Sequence, residues 1–134
     1  MRAFLVKLIR GKAFVEAGLH LATGGNGMLT CSGDLLLEAL VACAGVTLRA
    51  VSTAIGVGIR EGTIKAEGDL GFRVTLGVSN ETPVGFKTIH LYFILDTDAT
   101  AEQLQTIVKL TERYCVVYQM LTKGVLIETS FNKQ

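Results

Sequence analysis

Two cysteines lie far apart in the sequence, each within an apolar stretch of helical pattern: Cys43 and Cys115. The thiolate form of cysteine is a nucleophile, and a thiolate that a substrate oxidises becomes a sulfenic acid. A second thiol can condense with that sulfenic acid to form a disulfide, provided that the two Cα atoms approach within about 4.4–6.8 Å. The pair therefore offers two-electron redox chemistry. The alternative for each residue is a small apolar side chain that fills a helix contact, because free cysteine is among the most often buried residue types.

A nucleophilic Cys43 needs a lowered pKa. It lies beyond the first turn of its predicted helix, and the helix dipole acts mainly over that turn, so this dipole alone is not sufficient. A cation from another element is expected instead. The basic residues that could supply it are Arg2, Arg10, Lys12 and Arg113. Asp34 and Glu38, near the helix start, either complement the helix dipole or hold the cation in place.

Zinc binding is the other chemistry that the cysteine and histidine side chains suggest. The candidate ligands are Cys31, Cys43, Cys115, His20 and His90. They include no C-x-x-C motif and no other closely spaced pair, so we expect no metal site. Cys31 precedes the first helix and is interpreted as an incidental thiol, whereas His90 is expected on the outward face of its strand.

Composition bounds the class of protein. The 134 residues carry a net charge of +1, which predicts no face for nucleic acid and none for an anionic membrane surface. The length predicts one domain over 1–134. Hydrophobic residues make up 49% of the chain and the mean hydropathy is +0.44, so we expect apolar surface to be buried against a second copy.

Membrane insertion and secretion are not expected from the sequence. Residues 35–59 form the longest apolar stretch, but Glu38 and Arg49 interrupt it, so it is not interpreted as a transmembrane span. The first residues lack the pattern of a signal peptide, and the cysteines have no spacing typical of a secreted disulfide scaffold. We therefore expect a cytoplasmic protein.

Hydrophobic periodicity predicts the elements that position the two cysteines. Strands are predicted at 3–9 and 13–23, and a helix at 35–54 is apolar almost all round, which is typical of a helix buried on most of its surface. Alternation over 63–78 predicts a long antiparallel strand with one packed face. After a turn at 79–83, the chain is expected to return along a partner strand.

The second cysteine lies in a second predicted helix, which begins after a cap at 96–100 and ends at Gly124. Its buried stripe is expected to hold Leu104, Val108, Thr111, Cys115 and Tyr118. A final strand is predicted at 125–131. The order β-β-α-β-β-α-β is an α+β arrangement in which two helices pack on antiparallel sheet.

Three segments of the chain resemble the OsmC/Ohr family of osmotically inducible and organic hydroperoxide resistance proteins. The first is SGDLLLEALVACAGVT at 32–47, which is similar to the family's first cysteine helix. The second is the predicted hairpin, at 68–79 and 83–86. The third is LTERYCVVYQ at 110–119, which is similar to the second cysteine helix. The resemblance covers roughly residues 11–131.

This resemblance implies an intertwined homodimer in which antiparallel sheets surround two long central helices. It also implies a thiol-dependent peroxidase that reduces organic hydroperoxides and, less well, hydrogen peroxide. Cys43 matches the peroxidatic cysteine and Cys115 the resolving one. The family's activating arginine and helix-start acid are best matched by Arg10 and Asp34. No bound cofactor is implied, because an external dithiol of the lipoyl type restores the thiols.

A second hypothesis keeps the fold without the catalysis. The protein would then be a dimeric stress-response binding protein or a thiol redox sensor, whose cysteines form a reversible disulfide. That hypothesis predicts a near-normal pKa for Cys43 and no turnover.

Overall fold

The computed structural model describes residues 4–7, 14–18, 30–70 and 84–134. These residues form three helices, α1 (Ser32–Ala54), α2 (Ala101–Tyr114) and α3 (Val116–Lys123). The strands are β1 (Phe4–Lys7), β2 (Phe14–Gly18), β3 (Thr30–Cys31), β4 (Glu61–Leu70) and β5 (Phe86–Asp96). The chain divides into two compact units, one of residues 1–41 with 64–93 and the other of residues 42–63 with 94–134.

A three-stranded sheet of order β1-β2-β3 lies in the first unit. β1 pairs antiparallel with β2, from Phe4 beside Ala17 to Lys7 beside Phe14, which confirms the two strands predicted there within shorter bounds. β2 pairs in parallel with β3, so this sheet is mixed rather than wholly antiparallel. β3 was not predicted, because two residues are too few to show the period-2 alternation by which a strand is recognised.

β4 and β5 form a second sheet, and their alternation agrees with the sequence prediction. Ile64 and Ala66 are half-buried, whereas Lys65 and Glu67 between them are exposed. β5 repeats the pattern over its length. Gly68 fits closely against the strand partner, since a Cβ placed there would lie 2.5 Å from the ring of Phe86. The turn at 79–83 and the predicted extension of β4 to residue 78 lie outside the described residues.

One side of α1 is buried, whereas the sequence predicted burial on most of its surface. The buried row has a spacing of four residues and comprises Leu40, Ala44, Leu48 and Ser52. On other sides Leu36 is 38% exposed and Val46 is 74% exposed. A helix with apolar side chains on every side is typically buried on every side. A single protomer buries α1 along one stripe only.

The expectation that no segment spans a membrane stays a prediction, although α1 bears on it. By length and composition alone it could cross a bilayer, because its most apolar window of 18 residues has a hydropathy of 1.7. It is the one such helix in the described part of the chain. The core helix of a soluble protein meets the same criterion, so the criterion does not separate the two cases.

α2 begins with a capping box. The Thr100 side chain accepts a hydrogen bond from the backbone N–H of Gln103, and the Gln103 side chain accepts one from the Thr100 N–H, which satisfies two donors at the helix start. On the inward face Ile107 and Thr111 are fully buried. The predicted stripe is confirmed, since its members are buried or half-buried.

The second predicted helix is broken in two at Cys115. The Cys115 N–H still donates to the Thr111 carbonyl at 2.8 Å, but its φ of −71° and ψ of 113° are extended and end α2. A new helix starts when Gln119 N–H donates to the Cys115 carbonyl at 3.0 Å. α3 then ends at Gly124, whose φ of 74° is readily adopted only by glycine. The break could not be predicted from the sequence, because glycine and proline are the residue types that indicate a helix break and neither lies near Cys115.

The strand predicted at 125–131 does not form. Residues 124–134 have no regular secondary structure, and the side chains of Val125, Leu126, Ile127 and Phe131 are exposed. The residue types favour a strand, but a strand is stable only when another strand accepts and donates its backbone hydrogen bonds.

Ion pairs and hydrogen bonds join two connecting segments of the second unit. Arg60 donates to the Asp96 carboxylate at 2.6 Å and to the Asp98 carboxylate at 2.8 Å, and its backbone N–H donates to the Asp96 carbonyl at 2.9 Å. The Thr97 hydroxyl donates to the carbonyl of Gly58. The chain between α1 and β4 is thereby held against the chain between β5 and α2.

Candidate functional site

The thiols of Cys43 and Cys115 are neighbours, since each is a cause of the shifted pKa of the other. Both belong to the second unit. Cys43 is in the middle of α1 and half-buried, whereas Cys115 is fully buried at 0% exposure. Two neighbouring thiols can form a disulfide where their Cα atoms approach within about 4.4–6.8 Å.

Cys115 occupies an unusual place, since it ends α2 and also precedes the first residue of α3. The first backbone N–H groups of a helix have no carbonyl partner within that helix. In α3 these are the N–H groups of Val116, Val117 and Tyr118, because the first intrahelical bond comes from Gln119. The break therefore presents a set of free donors beside the two thiols.

These donors set the pKa of Cys43. The backbone N–H of Val117 is the largest cause of a lowered pKa, and hydrogen bonds from the Cys115 thiol, the Val116 N–H and the Thr47 hydroxyl lower it further. Partial burial opposes them, because burial disfavours the charged thiolate. The amino end of α3 thus supplies stabilisation for which the sequence analysis required a cation.

The pKa of Cys115 moves in the opposite direction. Burial is the main cause of its raised pKa, and the hydrogen bond and negative charge of the Cys43 thiolate raise it further. The Tyr118 N–H partly offsets these effects. Cys43 therefore loses its proton first, and Cys115 stays a protonated thiol beside a thiolate.

The described structure does not test the roles predicted for Arg10 and Asp34. Asp34 is exposed on the first turn of α1, in the first unit, and Arg10 lies outside the described residues. The Arg113 guanidinium lies 5.4 Å from the ring centre of Tyr114. The assignment of Arg10 and Asp34 as activating residues stays a prediction.

The sequence analysis missed two contributors to the site. The free N–H groups of α3 exist only because of the break at Cys115, for which no residue type gives a signal. The second contributor is Thr47, which lies one turn after Cys43 on α1 and whose hydroxyl is a minor cause of the lowered pKa of Cys43. Its spacing of four residues from Cys43 could have identified it, since such residues share a helix face.

No three histidine, cysteine or acidic side chains converge on a metal position among residues 30–70 and 84–134 and the described strands before them. Cys31 lies in the first unit at the end of β3, where its Sγ is 3.8 Å from the position of a Cβ on Gly33. His90 is exposed as predicted, and its ring centre is 6.3 Å from that of Tyr92.

The second unit also contains an open cavity of about 400 Å³, which is lined in part by Gly58, Arg60, Asp98 and Gln103. The Arg60 guanidinium in this cavity already forms ion pairs with the carboxylates of Asp96 and Asp98. It contains no thiol, so the reactive chemistry of this unit lies at the cysteine pair rather than in this cavity.

The known proteins that are similar to this chain belong to one family. A family model described as OsmC-like protein matches residues 24–130. No curated protein matches the sequence. The chain is similar to the structure of an organic hydroperoxide resistance protein OsmC from Legionella pneumophila, with a TM-score of 0.73, 17% identity, and coverage of 92% of this chain and 88% of that one.

Two further structures are similar. An organic hydroperoxide resistance protein from Elizabethkingia anophelis gives a TM-score of 0.71 with 21% identity, over 92% of this chain and 86% of that one. An OsmC-like protein from Mycoplasma pneumoniae gives 0.67 with 15% identity, over 90% and 79%. The expected fold is confirmed, although the order of its elements differs as described above, and the intertwined homodimer stays a prediction.

Proposed function

The chain belongs to the OsmC-like family, and from this membership and the geometry of the thiol pair we propose that it is a thiol-dependent peroxidase. Cys43 is the attacking thiolate and Cys115 the resolving thiol. The observation that carries the proposal is that these two neighbouring thiols shift each other's pKa, with the pKa of Cys43 lowered and that of Cys115 raised. An enzyme of this kind needs one thiolate and one neighbouring thiol, and perturbed pKa values are typical of such sites.

The first half of the reaction oxidises Cys43. Its thiolate attacks the distal oxygen of a hydroperoxide, the O–O bond breaks, and the alkoxide that leaves takes up a proton and departs as an alcohol. Cys43 is now a sulfenic acid. The backbone N–H groups of Val116 and Val117 hold the thiolate before attack and can stabilise negative charge on oxygen during it.

The second half restores the thiols. The sulfur of Cys115 attacks the Cys43 sulfenic acid, water leaves with the proton of the Cys115 thiol, and a disulfide joins α1 to the start of α3. An external dithiol then reduces this disulfide by exchange and is itself oxidised. We take a lipoyl-type dithiol as the reductant and the cytoplasm as the compartment, where disulfides are transient and catalytic rather than structural.

Organic hydroperoxides are the proposed substrates, with hydrogen peroxide reduced less well. Val116 and Val117, whose backbone N–H groups act on the Cys43 thiolate, carry apolar side chains, which favours an alkyl chain over a water-like substrate. The similar proteins from Legionella pneumophila and Elizabethkingia anophelis carry hydroperoxide resistance in their names.

A homodimer is the proposed assembly. Residues 125–131, which include four large apolar side chains, pair with no strand in the described part of the chain, and Phe131 is 90% exposed. Val46 on α1 is 74% exposed as well. Burying such side chains against a second copy removes apolar surface from water, at roughly 25 cal/mol per Å².

Steady-state peroxide consumption tests the proposal. The purified protein is supplied with cumene hydroperoxide and dihydrolipoamide, and wild type is compared with Cys43→Ser and with Cys31→Ser as the matched control. We expect the Cys43 variant to lose turnover and the Cys31 variant to keep it. Equal rates for wild type and Cys43→Ser would exclude this function.

A thiol sensor is the second candidate, and the complete burial of Cys115 favours it over a simple binding protein. A reductant must therefore attack the disulfide at the half-buried Cys43 sulfur, and the disulfide of a sensor persists where that attack is slow. A sensor consumes one peroxide per protomer and then stops, whereas an enzyme continues as long as dithiol is present. Counting peroxide molecules reduced per protomer separates the two functions.

A further inference from the structure

Hydrogen bonds connect the end of α1 to the start of α2. On the α1 side, the Val57 N–H donates to the Ser52 carbonyl at 2.9 Å. Between the two segments, the Thr97 hydroxyl donates to the Gly58 carbonyl and accepts from the Ala99 N–H at 3.1 Å. The residue after Ala99 is the N-cap of α2. Both helix ends are therefore bonded, through short connections, to the same small group of residues.

Arg60 is the centre of this group, which we call the Arg60 clamp and which comprises Gly58, Arg60, Asp96, Thr97 and Asp98. The Arg60 Nε and Nη2 donate to one carboxylate oxygen of Asp96 at 3.0 and 2.6 Å, and its Nη1 donates to Asp98 at 2.8 Å. The Arg60 N–H also donates to the Asp96 carbonyl at 2.9 Å. A planar guanidinium that meets two carboxylates is fixed in orientation as well as in distance.

The place of the clamp in the chain relates it to the thiol pair. Cys43 and Cys115 are separated in sequence by β4 and β5, and the clamp joins the residues just before β4 to those just after β5. At 1.5 Å per residue, Cys43 lies about 16 Å from the end of α1 at Ala54, and Cys115 about 21 Å from the start of α2 at Ala101. A slip of one helical turn moves a cysteine by about 5.4 Å, which is comparable with the whole Cα separation of a disulfide, about 4.4–6.8 Å.

We propose that Arg60 is a positioning residue of the thiol pair, and that its clamp sets the register of α1 and α2 at which Cys43 meets Cys115. The inference rests on the proposed peroxidase function for its purpose, because a resolving thiol must lie beside the sulfenic acid. The ion pairs of the clamp are exposed, and exposed ion pairs add little to the free energy of unfolding. A loss of register is therefore separable from a loss of the fold.

The equilibrium with glutathione measures how well the two thiols are placed. One glutathione disulfide is reduced to two glutathione thiols, which take up the two thiol protons, while the Cys43–Cys115 disulfide forms. The equilibrium constant rises with the effective concentration of one protein thiol at the other. Arg60→Gln removes the charge and the clamp, so we expect this constant to fall by about fivefold or more, as is typical of two coupled sites.

The variants are made in a Cys31→Ser background, so that the thiol pair alone reacts. Lys65→Gln is the matched control, because Lys65 forms an exposed ion pair of 2.7 Å with Glu67 within the same strand, β4. It removes one cation and one ion pair, as Arg60→Gln does, but unties no helix. Far-UV circular dichroism and urea denaturation check that each variant folds, and Asp98→Asn replaces Arg60→Gln if the latter does not.

A lower constant for Arg60→Gln, with Lys65→Gln at the value of the parent protein, supports the positioning role. An unchanged constant for Arg60→Gln, or an equal fall for Lys65→Gln, overturns it. The assay uses no peroxide, so its result is independent of whether the protein is a peroxidase. An active peroxidase with an unchanged constant in Arg60→Gln would refute the role of Arg60 alone, whereas a lower constant in a protein without turnover would refute the peroxidase alone.

Discussion

Cys115 lies where α2 ends and α3 begins, close enough to Cys43 for each thiol to shift the pKa of the other, and the two cysteines thereby acquire unequal chemistry. The break exposes the backbone N–H groups that favour the Cys43 thiolate, while burial keeps the Cys115 thiol protonated. The helix break at Cys115 therefore distinguishes the proposed attacking sulfur of Cys43 from the proposed resolving sulfur of Cys115.

The first prediction concerns the order of the two oxidation steps. In Cys115→Ser no thiol can condense with the oxidised Cys43, so one equivalent of hydroperoxide should leave Cys43 as a sulfenic acid. Mass spectrometry should show the gain of one oxygen on the peptide of Cys43, or its adduct with dimedone. In Cys43→Ser the buried Cys115 should stay unmodified under the same conditions, and rapid oxidation of Cys115 there would reverse the assigned roles.

The second prediction is the pH dependence of catalysis. The thiolate is the reactive form, so kcat/KM for the hydroperoxide should rise with pH and level off above the pKa of Cys43. Because that pKa is lowered, the midpoint should lie below the value of about 8.5 for an ordinary cysteine. Stopped-flow measurement at saturating dithiol checks this. A midpoint at or above the ordinary value would favour the sensor over the enzyme.

The third prediction concerns the close fit of Gly68 and Phe86 in the first unit. A Cβ on Gly68 would lie 2.5 Å from the ring of Phe86, so Gly68→Ala should destabilise the protein by about 1–3 kcal/mol, as overpacking does. Gly58→Ala is the matched control, because nothing lies within 4 Å of its Cβ position. Urea denaturation gives both values. If the ring causes the cost, adding Phe86→Ala to Gly68→Ala should give a non-additive result.

The fourth prediction tests the proposed homodimer. Replacing Leu126 and Phe131 together by glutamate puts charge on the apolar segment that a second copy would cover, so the dimer should dissociate. Light scattering after size exclusion measures the mass directly. Lys133→Glu, a charge change on the same exposed segment, should leave the dimer intact. A wild-type protein that is monomeric at micromolar concentration would contradict the proposal.

Much of the fold could be predicted where the sequence has a local period. The alternation through Ile64 and Ala66 places the packed face of β4 correctly. The leucine run predicts the end of α1 and places its start three residues late. The break at Cys115 could not be predicted, because extended backbone at a single residue leaves no periodic signal. The side of α1 that stays exposed, at Val46, also could not be predicted, since periodicity reports apolar character and not the presence of a covering partner.

The two cysteines of the candidate site could be predicted from the sequence, but the backbone N–H groups that lower the pKa of Cys43 could not. Residue type and resemblance identified the thiol pair, and the structure brings both thiols together. The sequence analysis sought a cation for Cys43 because charged side chains are visible in a sequence. Backbone N–H groups are common to nearly all residues, and only the fold decides which of them are left free.

Arg60 joins the segment before β4 to the segment after β5, and these hydrogen-bonded segments have a consequence for amide hydrogen exchange. The amides of Val57, Arg60 and Ala99 lie outside helices and strands, yet each donates to a protein acceptor: the Ser52 carbonyl, the Asp96 carbonyl and the Thr97 hydroxyl. An amide exchanges its hydrogen with water only when such a bond opens. These three surface positions should therefore take up deuterium slowly, and the apolar segment at 125–131 of an isolated protomer should take it up at once.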